Sequence, residues 1–100
     1  MEKVIAIFGK TMDQGNQKLK EIIGEMKYKD VEYLKFGSRL EAKLTDGTIY
    51  RVLPAFDTVR GNRFNKAIIS NLIEQRIIDD LILPCMYLYC DSVENSVEWY

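Results

Sequence analysis

Residues 39–54 read RLEAKLTDGTIYRVLP, and this stretch decides the fold. Apolar and charged residues alternate up to Asp46-Gly47, and a second β-type segment then runs to Leu53. Alternating segments on both sides of an Asp-Gly pair indicate a β-hairpin, because its tight turn needs a positive φ. Pro54 ends the second segment, since proline cannot donate to a strand ladder.

The segments around the hairpin predict an α/β (α+β) domain. Four apolar runs predict further strands: Lys3–Phe8, Val31–Phe36, Lys66–Ser70 and Met86–Cys90. Two segments with apolar residues at helical spacing predict helices: Asn16–Tyr28, and a segment that Asn71 caps and Pro84 ends. We therefore expect a small mixed or antiparallel sheet with a central β-hairpin and two helices packed on it. A chain of 100 residues predicts a single domain over 1–100, with an acidic C-terminal tail at 91–100.

The residue inventory excludes several kinds of catalytic site. The chain has no histidine, which excludes the usual serine and cysteine triads and an imidazole base. Gly9-Lys10-Thr11 follows a strand but lacks the preceding glycine and spacer of a phosphate-binding loop. Asp79 and Asp80 are adjacent, so they diverge by about 100° on a helix and do not form a catalytic pair. We predict a protein that is not an enzyme, with no catalytic residues, no metal site and no cofactor; an enzyme using carboxylates from two chains is the alternative.

Charge is distributed unevenly along the chain. Residues 35–66 carry seven basic and three acidic side chains, whereas residues 74–100 carry one basic and six acidic side chains. A basic middle and an acidic end indicate an anionic ligand for the middle, or head-to-tail contact between subunits. The alternative is that these charges lie on solvated faces.

Location and cysteine chemistry are read from the same composition. Cys85 and Cys90 match no common zinc or redox spacing, so we expect buried thiols. No signal peptide, lipidation motif or membrane-length apolar run is found, which predicts a cytoplasmic protein without membrane contact. The sequence pI of about 5.4 and the acidic end make nucleic acid an unfavoured partner.

The segment between Pro54 and Lys66 has the residue types of a nucleotide site. Arginine binds phosphate in a bidentate manner, aromatic rings stack on bases, and asparagine reads base edges. The predicted ligand-binding residues are Phe56, Arg60, Asn62, Arg63, Phe64 and Asn65. The structural alternative buries both phenylalanines and pairs both arginines with acidic residues.

The stretch from Arg39 to Pro84 resembles part of the ATPase core of phage terminase large subunits. The resemblance rests on a hairpin (Arg39 to Leu53), an Arg-Gly pair (Arg60-Gly61), an aromatic (Phe64) and an apolar strand (Ala67 to Ile69). In that family the strand ends in the Walker B acids Asp-Glu, which hold magnesium. Here those positions are Ser70 and Asn71, and Walker A is missing. The resemblance therefore implies a degenerate terminase-like nucleotide-binding protein rather than a motor.

A small α/β domain with a nucleotide-type loop also loosely resembles the phage Thoeris anti-defence sponges, by size and character alone. This resemblance implies a non-enzymatic phage-type protein that sequesters a small anionic nucleotide-like ligand, such as a cyclic nucleotide or cyclic ADP-ribose immune signal. A phage-encoded protein of this kind would act in the host cell cytoplasm. Burial of a charged ligand between subunits would make it a homo-oligomer, a dimer or larger.

The alternative function is a phage protein–protein interaction module, an inhibitor or assembly factor. Glu98-Trp99-Tyr100 would then be the contact surface, because tryptophan and tyrosine dominate interface energetics. These two aromatic side chains either dock on their own subunit or cover a partner.

Overall fold

The computed structural model of the chain describes residues 3–35, 37, 40–55, 63–86 and 92–100. These residues form strands β1 (Val4–Phe8), β2 (Val31–Lys35), β3 (Glu41–Leu44), β4 (Ile49–Val52), β5 (Lys66–Ile69) and β6 (Val97–Trp99). The helices are α1 (Met12–Gly24), α2 (Gln75–Ile77) and α3 (Val93–Ser96). A 3₁₀ turn (Tyr28–Asp30) precedes β2, and α2 continues through a π-helical turn (Ile78–Ile82) and a 3₁₀ turn (Leu83–Cys85). We refer to residues 75–85 together as the α2 segment.

The strands form one mixed sheet in the order β2-β3-β4-β1-β5-β6. β2, β3 and β4 are antiparallel neighbours, whereas β4, β1, β5 and β6 run parallel to one another. The predicted hairpin is confirmed as β3–β4 and lies inside the sheet, between β2 and β1. Gly47 has φ of 95°, the positive value that the Asp-Gly turn was expected to require. The mixed α+β fold class is confirmed.

The sheet has a hydrophobic core on each face. On the α1 face, alternate strand residues such as Ile7 and Val52 are fully buried against Leu19 of α1. On the α2 face, Phe8 and Ile69 are fully buried against Ile82 and other apolar residues of the α2 segment. Successive residues of a strand point to opposite faces, so the continuous apolar run of β1 serves both cores. The helices therefore cover both faces of the parallel part of the sheet.

The first helix begins earlier than the sequence indicated. It spans Met12–Gly24, so the predicted range Asn16–Tyr28 is wrong at both ends. The Thr11 side-chain oxygen accepts a hydrogen bond from the Gln14 backbone N–H at 3.1 Å, which caps the helix start. The first turn of α1 is mainly polar and shows no apolar residues at helical spacing, so the sequence pattern did not predict it as helix.

The second helix begins later than the sequence indicated. It starts at Gln75 with Glu74 as its N-cap residue, so the prediction that Asn71 caps it is wrong. The Asn71 backbone N–H instead donates to the Tyr100 carbonyl at 2.7 Å. This bond ties the residues after β5 to the residue after β6. Pro84 lies within the 3₁₀ turn at the end of the α2 segment.

The C-terminal region is part of the fold rather than an appended tail. Residues 92–100 contain α3 and β6, and β6 pairs in parallel with β5 through Val97↔Ala67 and Trp99↔Ile69. The predicted strand Met86–Cys90 is not observed at Met86, which lies in a turn, and residues 87–90 lie outside the described residues. In the part of the chain that the structure describes, no helix is long and apolar enough to cross a membrane.

Candidate functional site at the carboxyl edge of the sheet

The four parallel strands end at one edge of the sheet, which we call the carboxyl edge. β1 leads into α1 on one face, while β5 leads into the α2 segment on the opposite face. In open α/β sheets, ligands bind in the crevice outside the carboxyl ends of the strands, where neighbouring connections diverge to opposite faces. The chain brings four segments to this edge: Gly9–Thr11, Pro54–Ala55, Ser70–Asn71 and Tyr100.

The turn from β1 into α1 has no room for a side chain at Gly9. A Cβ atom there would lie 2.4 Å from the Gly15 nitrogen and 2.6 Å from the Thr11 carbonyl oxygen. Gly15 in turn approaches β4, because its Cβ would lie 2.8 Å from Val52 Cγ1. The backbone is therefore packed closely at this point, and Lys10 is exposed at the carboxyl edge.

Three backbone N–H groups around the start of α1, those of Lys10, Gln14 and Gly15, are bound within the protein. The Lys10 N–H donates to Gln14 Oε1 at 2.6 Å, and the Gly15 N–H donates to the Thr11 carbonyl at 3.2 Å. Asp13 adds a negative charge in the first turn. The exposed side-chain ammonium of Lys10 is the cationic group that this turn presents to an anion.

Ser70 and Asn71 follow β5 at the carboxyl edge, beside the end of β1. Ser70 is fully buried, its N–H donates to the Phe8 carbonyl at 2.9 Å, and its Oγ accepts from the Leu72 N–H at 3.1 Å. Asn71 is exposed. These two residues therefore differ in role. Ser70 holds the end of β5 in place through its hydrogen bonds, whereas Asn71 is exposed and accessible to a ligand at the carboxyl edge.

Tyr100 docks on its own subunit at the same edge. Its N–H donates to the Ile69 carbonyl at 3.1 Å, and its hydroxyl donates to the Phe8 carbonyl at 3.0 Å. The Lys18 Nζ atom lies 5.1 Å from the centre of its ring, within cation–π distance. Of the two positions predicted for the terminal aromatics, Tyr100 takes the one on the body of the protein.

Stability at alkaline pH is expected to depend on Tyr100. Burial, with a smaller effect from Glu21, raises the pKa of Tyr100 to about 12. Because the unfolded value is about 10, the neutral phenol stabilises the fold below that pH, and this contribution is lost as pH rises towards the folded value. Tyr100→Phe should lower the free energy of unfolding by about 1 kcal/mol at pH 8. The free energy of unfolding, measured by urea denaturation, should also fall less steeply with rising alkaline pH in this variant than in the parent protein.

The matched control for this experiment is Tyr50→Phe, which leaves the Tyr100 hydroxyl in place. Burial, followed by the charges of Glu98 and Asp46, raises the pKa of Tyr50 as well. Tyr50 should therefore account for a smaller part of the loss of stability at alkaline pH than Tyr100 does. An identical alkaline decline in the parent protein and in Tyr100→Phe would refute this role of Tyr100.

The structure describes three of the six predicted ligand-binding residues. Phe64 is 1% exposed, and its ring centre lies 5.5 Å from that of Phe8 in the α2-face core. Asn65 Oδ1 accepts from the Val4 N–H at 2.9 Å, and the Asn65 N–H donates to the Val4 carbonyl at 2.9 Å. Phe64 and Asn65 thus make structural contacts, as the alternative interpretation of the loop expected for Phe64.

The other predicted residues keep their status as predictions. Arg63 is exposed. Phe56, Arg60 and Asn62 lie outside the described residues. Because β4 and β5 are both parallel to β1, the connection that contains these residues starts at Ala55 on the carboxyl edge and ends at Asn65 on the opposite edge. The predicted loop therefore begins at the carboxyl edge, directly after Ala55.

The excess positive charge of the middle segment is partly neutralised on the hairpin side of the sheet. Glu41 Oε1 lies 2.7 Å from Arg51 Nε, and Glu41 Oε2 lies 3.6 Å from Lys35 Nζ. Lys43 Nζ lies 3.9 Å from Glu32. Burial opposes ionisation of Glu41, but hydrogen bonds from Arg51 and Tyr33 outweigh it and lower the pKa of that carboxyl. Arg51, Lys35 and Lys43 are therefore paired with glutamates of the sheet. Lys10 is a better candidate than these three residues for binding an anionic ligand.

Comparisons of the chain with protein-family models, with curated protein sequences and with solved structures find no match. The resemblance to the terminase ATPase core stays a prediction. In the structure, the segments that carry it include β3, β4 and β5, with β1 lying between β4 and β5. Among the described residues, no group of three or more His, Cys, Asp or Glu side chains is placed to hold a metal ion.

Three residues of the carboxyl edge were not predicted as site residues: Lys10, Asn71 and Tyr100. Lys10 belongs to the Gly-Lys-Thr sequence after β1. This sequence was set aside because it lacks the spacing of a phosphate-binding loop, although it does mark the carboxyl edge. Asn71 and Tyr100 come together only through the parallel pairing of β5 with β6, for which the sequence contains no local signal.

Proposed function

We propose that the chain is a non-enzymatic binding protein for a small anionic, nucleotide-like ligand, and that the carboxyl edge is its binding site. The observation that carries this proposal is the divergence of the β1 and β5 connections to opposite faces, with exposed Lys10 and Asn71 at that point. The predicted nucleotide-type loop starts from Ala55 at the same edge. The start of that loop and the sheet topology thus favour the same place, whereas the loop ends at Asn65 on the opposite edge.

Each group has a distinct role in this proposal. The Lys10 ammonium pairs with a phosphate oxygen, and the Asn71 amide donates to or accepts from the base or ribose. Phe56 and Arg60, which are candidates from sequence, supply a stacking surface and a bidentate phosphate contact. Since Ser70 and Asn71 offer no carboxylate where a nucleotide hydrolase has its magnesium ligands, the ligand is held without being cleaved.

The same site suits a sponge that sequesters a cyclic nucleotide or cyclic ADP-ribose immune signal in the cytoplasm of an infected cell. A degenerate terminase-like nucleotide binder would use the same edge. A homo-oligomer would bury more of the ligand than one small subunit does, because an open edge covers only one side of it. Size-exclusion chromatography with and without ligand tests this part.

The binding proposal is tested by a thermal-shift screen against ATP, ADP-ribose, cyclic ADP-ribose isomers, cyclic di- and trinucleotides and a short single-stranded DNA. A ligand at 100 times its dissociation constant stabilises the fold by about 2.7 kcal/mol, which raises Tm by several degrees in a domain of this size. Lys10→Glu should weaken binding at least about tenfold, because it places a like charge against the phosphate.

The matched control is Lys3→Glu, which makes the same charge change before β1, at the opposite edge of the sheet. It should bind as the parent does. If ligand binding is weakened equally in the two variants, the overall charge of the protein is the cause, and the assignment of the site to Lys10 is refuted. Recovery of chemically altered ligand after heating would refute the non-enzymatic part.

A second candidate, the protein–protein interaction module, is favoured by exposed apolar residues beside β6. Trp99 is 49% exposed and Leu72 is 61% exposed, and both adjoin the backbone bond between Asn71 and Tyr100. Among the strands of the described residues, β6 lies at one edge of the sheet. If no nucleotide shifts Tm, this surface becomes the functional site, and capture of a partner by the parent protein but not by Trp99→Ala would support it.

A further inference from the structure

A cleft lies on the α1 face, away from the carboxyl edge. α1 packs over β1 and β4 and leaves the start of β5 and of β6 uncovered on this face. The register aligns Tyr50 of β4 with Ile5 of β1, and Ile5 with Lys66 of β5. Together with Ile68 and Glu98, these residues line a cleft of about 320 Å³.

The polar groups of this cleft have opposite charges but do not pair with each other. Ile68 aligns with Glu98, so Lys66 and Glu98 point to the same face from neighbouring strands, two residues apart in register. Strand spacing and rise place their backbones roughly 8 Å apart. No ion pair joins either of them to another described residue, and no hydrogen bond is made by the Tyr50 hydroxyl within the described part of the chain.

We propose that this cleft binds a small zwitterion, a free α-amino acid. The ligand carboxylate pairs with Lys66, its ammonium pairs with Glu98, and its apolar side chain covers Ile5 and Ile68. Because Lys66 and Glu98 form no ion pair with each other, each is free to pair with one charged end of an α-amino acid. The Tyr50 hydroxyl donates a further bond to the carboxylate.

The charges distinguish this cleft from the proposed nucleotide site. Glu98 opposes a phosphate, and Glu94 of the adjacent α3 is acidic too. Burial and then the charge of Glu98 raise the pKa of the Tyr50 phenol, so this hydroxyl stays protonated and able to donate at neutral pH. A ligand with a balanced pair of charges fits these groups better than an anion does.

The test is titration of leucine into the isotope-labelled, full-length protein, followed through backbone amide shifts. We expect saturable shifts at Ile5, Tyr50 and Ile68, at millimolar or lower concentration. N-acetyl-leucine and leucinamide, each lacking one charge, should bind at least about tenfold more weakly. Neither compound requires any change in the protein, so this arm is independent of folding.

Two variants locate the charges. Lys66→Met and Glu98→Gln should each weaken leucine binding about tenfold, whereas the nearby control Glu94→Gln should not change it. The proposal is overturned if leucine causes no saturable shifts in the cleft. It is also overturned if the capped compounds bind as well as leucine, or if both charge variants bind like the parent. None of these results bears on nucleotide binding at the carboxyl edge, which is read from Lys10→Glu.

Discussion

Phe64→Ala is expected to lower the free energy of unfolding by about 3–5 kcal/mol. The ring is 1% exposed and packs against Phe8, so its removal loses apolar burial and leaves a cavity in the α2-face core. Urea denaturation at neutral pH measures the loss, with an unchanged m-value confirming two-state unfolding.

A matched control separates core packing from mere loss of apolar surface. Leu72→Ala truncates a large side chain that is 61% exposed, and it should change stability by no more than about 0.5 kcal/mol. If Phe64→Ala unfolds at the same urea concentration as the parent but loses nucleotide binding, the ring stacks on ligand and its placement in the core is wrong.

Gly9→Ala is expected to destabilise the protein by about 1–3 kcal/mol, because one methyl group has no space in the β1–α1 turn. The new Cβ would meet backbone atoms of Gly15 and Thr11 at 2.4 and 2.6 Å, and a backbone cannot rotate aside as a flexible side chain does. Relief of this overlap moves α1 away from the sheet. Because Lys10 and Thr11 are carried by the same turn, ligand binding at the carboxyl edge should fall as well.

Gly24→Ala is the control for this variant. Gly24 is the last residue of α1, and a Cβ there meets nothing within 4 Å. Alanine has the higher helix propensity, so this change should stabilise by up to about 1 kcal/mol. Opposite signs for the two substitutions, measured by thermal and urea unfolding, are the expected result; equal effects would contradict the close packing at Gly9.

Local signals in the sequence were sufficient for part of the fold. The Asp46-Gly47 turn, with alternating segments on each side, specifies β3 and β4 without help from distant residues. The apolar runs of β1 and β5 are equally local. The start of α1 was missed because its first turn is polar, although Thr11 is a recognisable capping residue.

The parts that sequence reasoning missed depend on contacts between distant segments. β6 is only three residues long and is a strand because it pairs with β5, so Val97–Trp99 has no strand pattern of its own. Parallel pairing of β1 with both β4 and β5 is likewise non-local, and it determines which loops share an edge. From sequence alone, the aromatic ring of Phe64 is equally suited to a core and to a ligand, and only the packing distinguishes the two.

The most direct test of the binding site is backbone amide mapping with ADP-ribose and cyclic ADP-ribose, each titrated into the isotope-labelled protein. We predict that at least one probe causes saturable shifts clustered at Lys10, Thr11, Asn71 and Tyr100, and that Lys10→Glu abolishes them while Lys3→Glu does not. Saturable shifts confined to other parts of the sheet, or no shifts with either probe at millimolar concentration, would contradict ligand binding at the carboxyl edge.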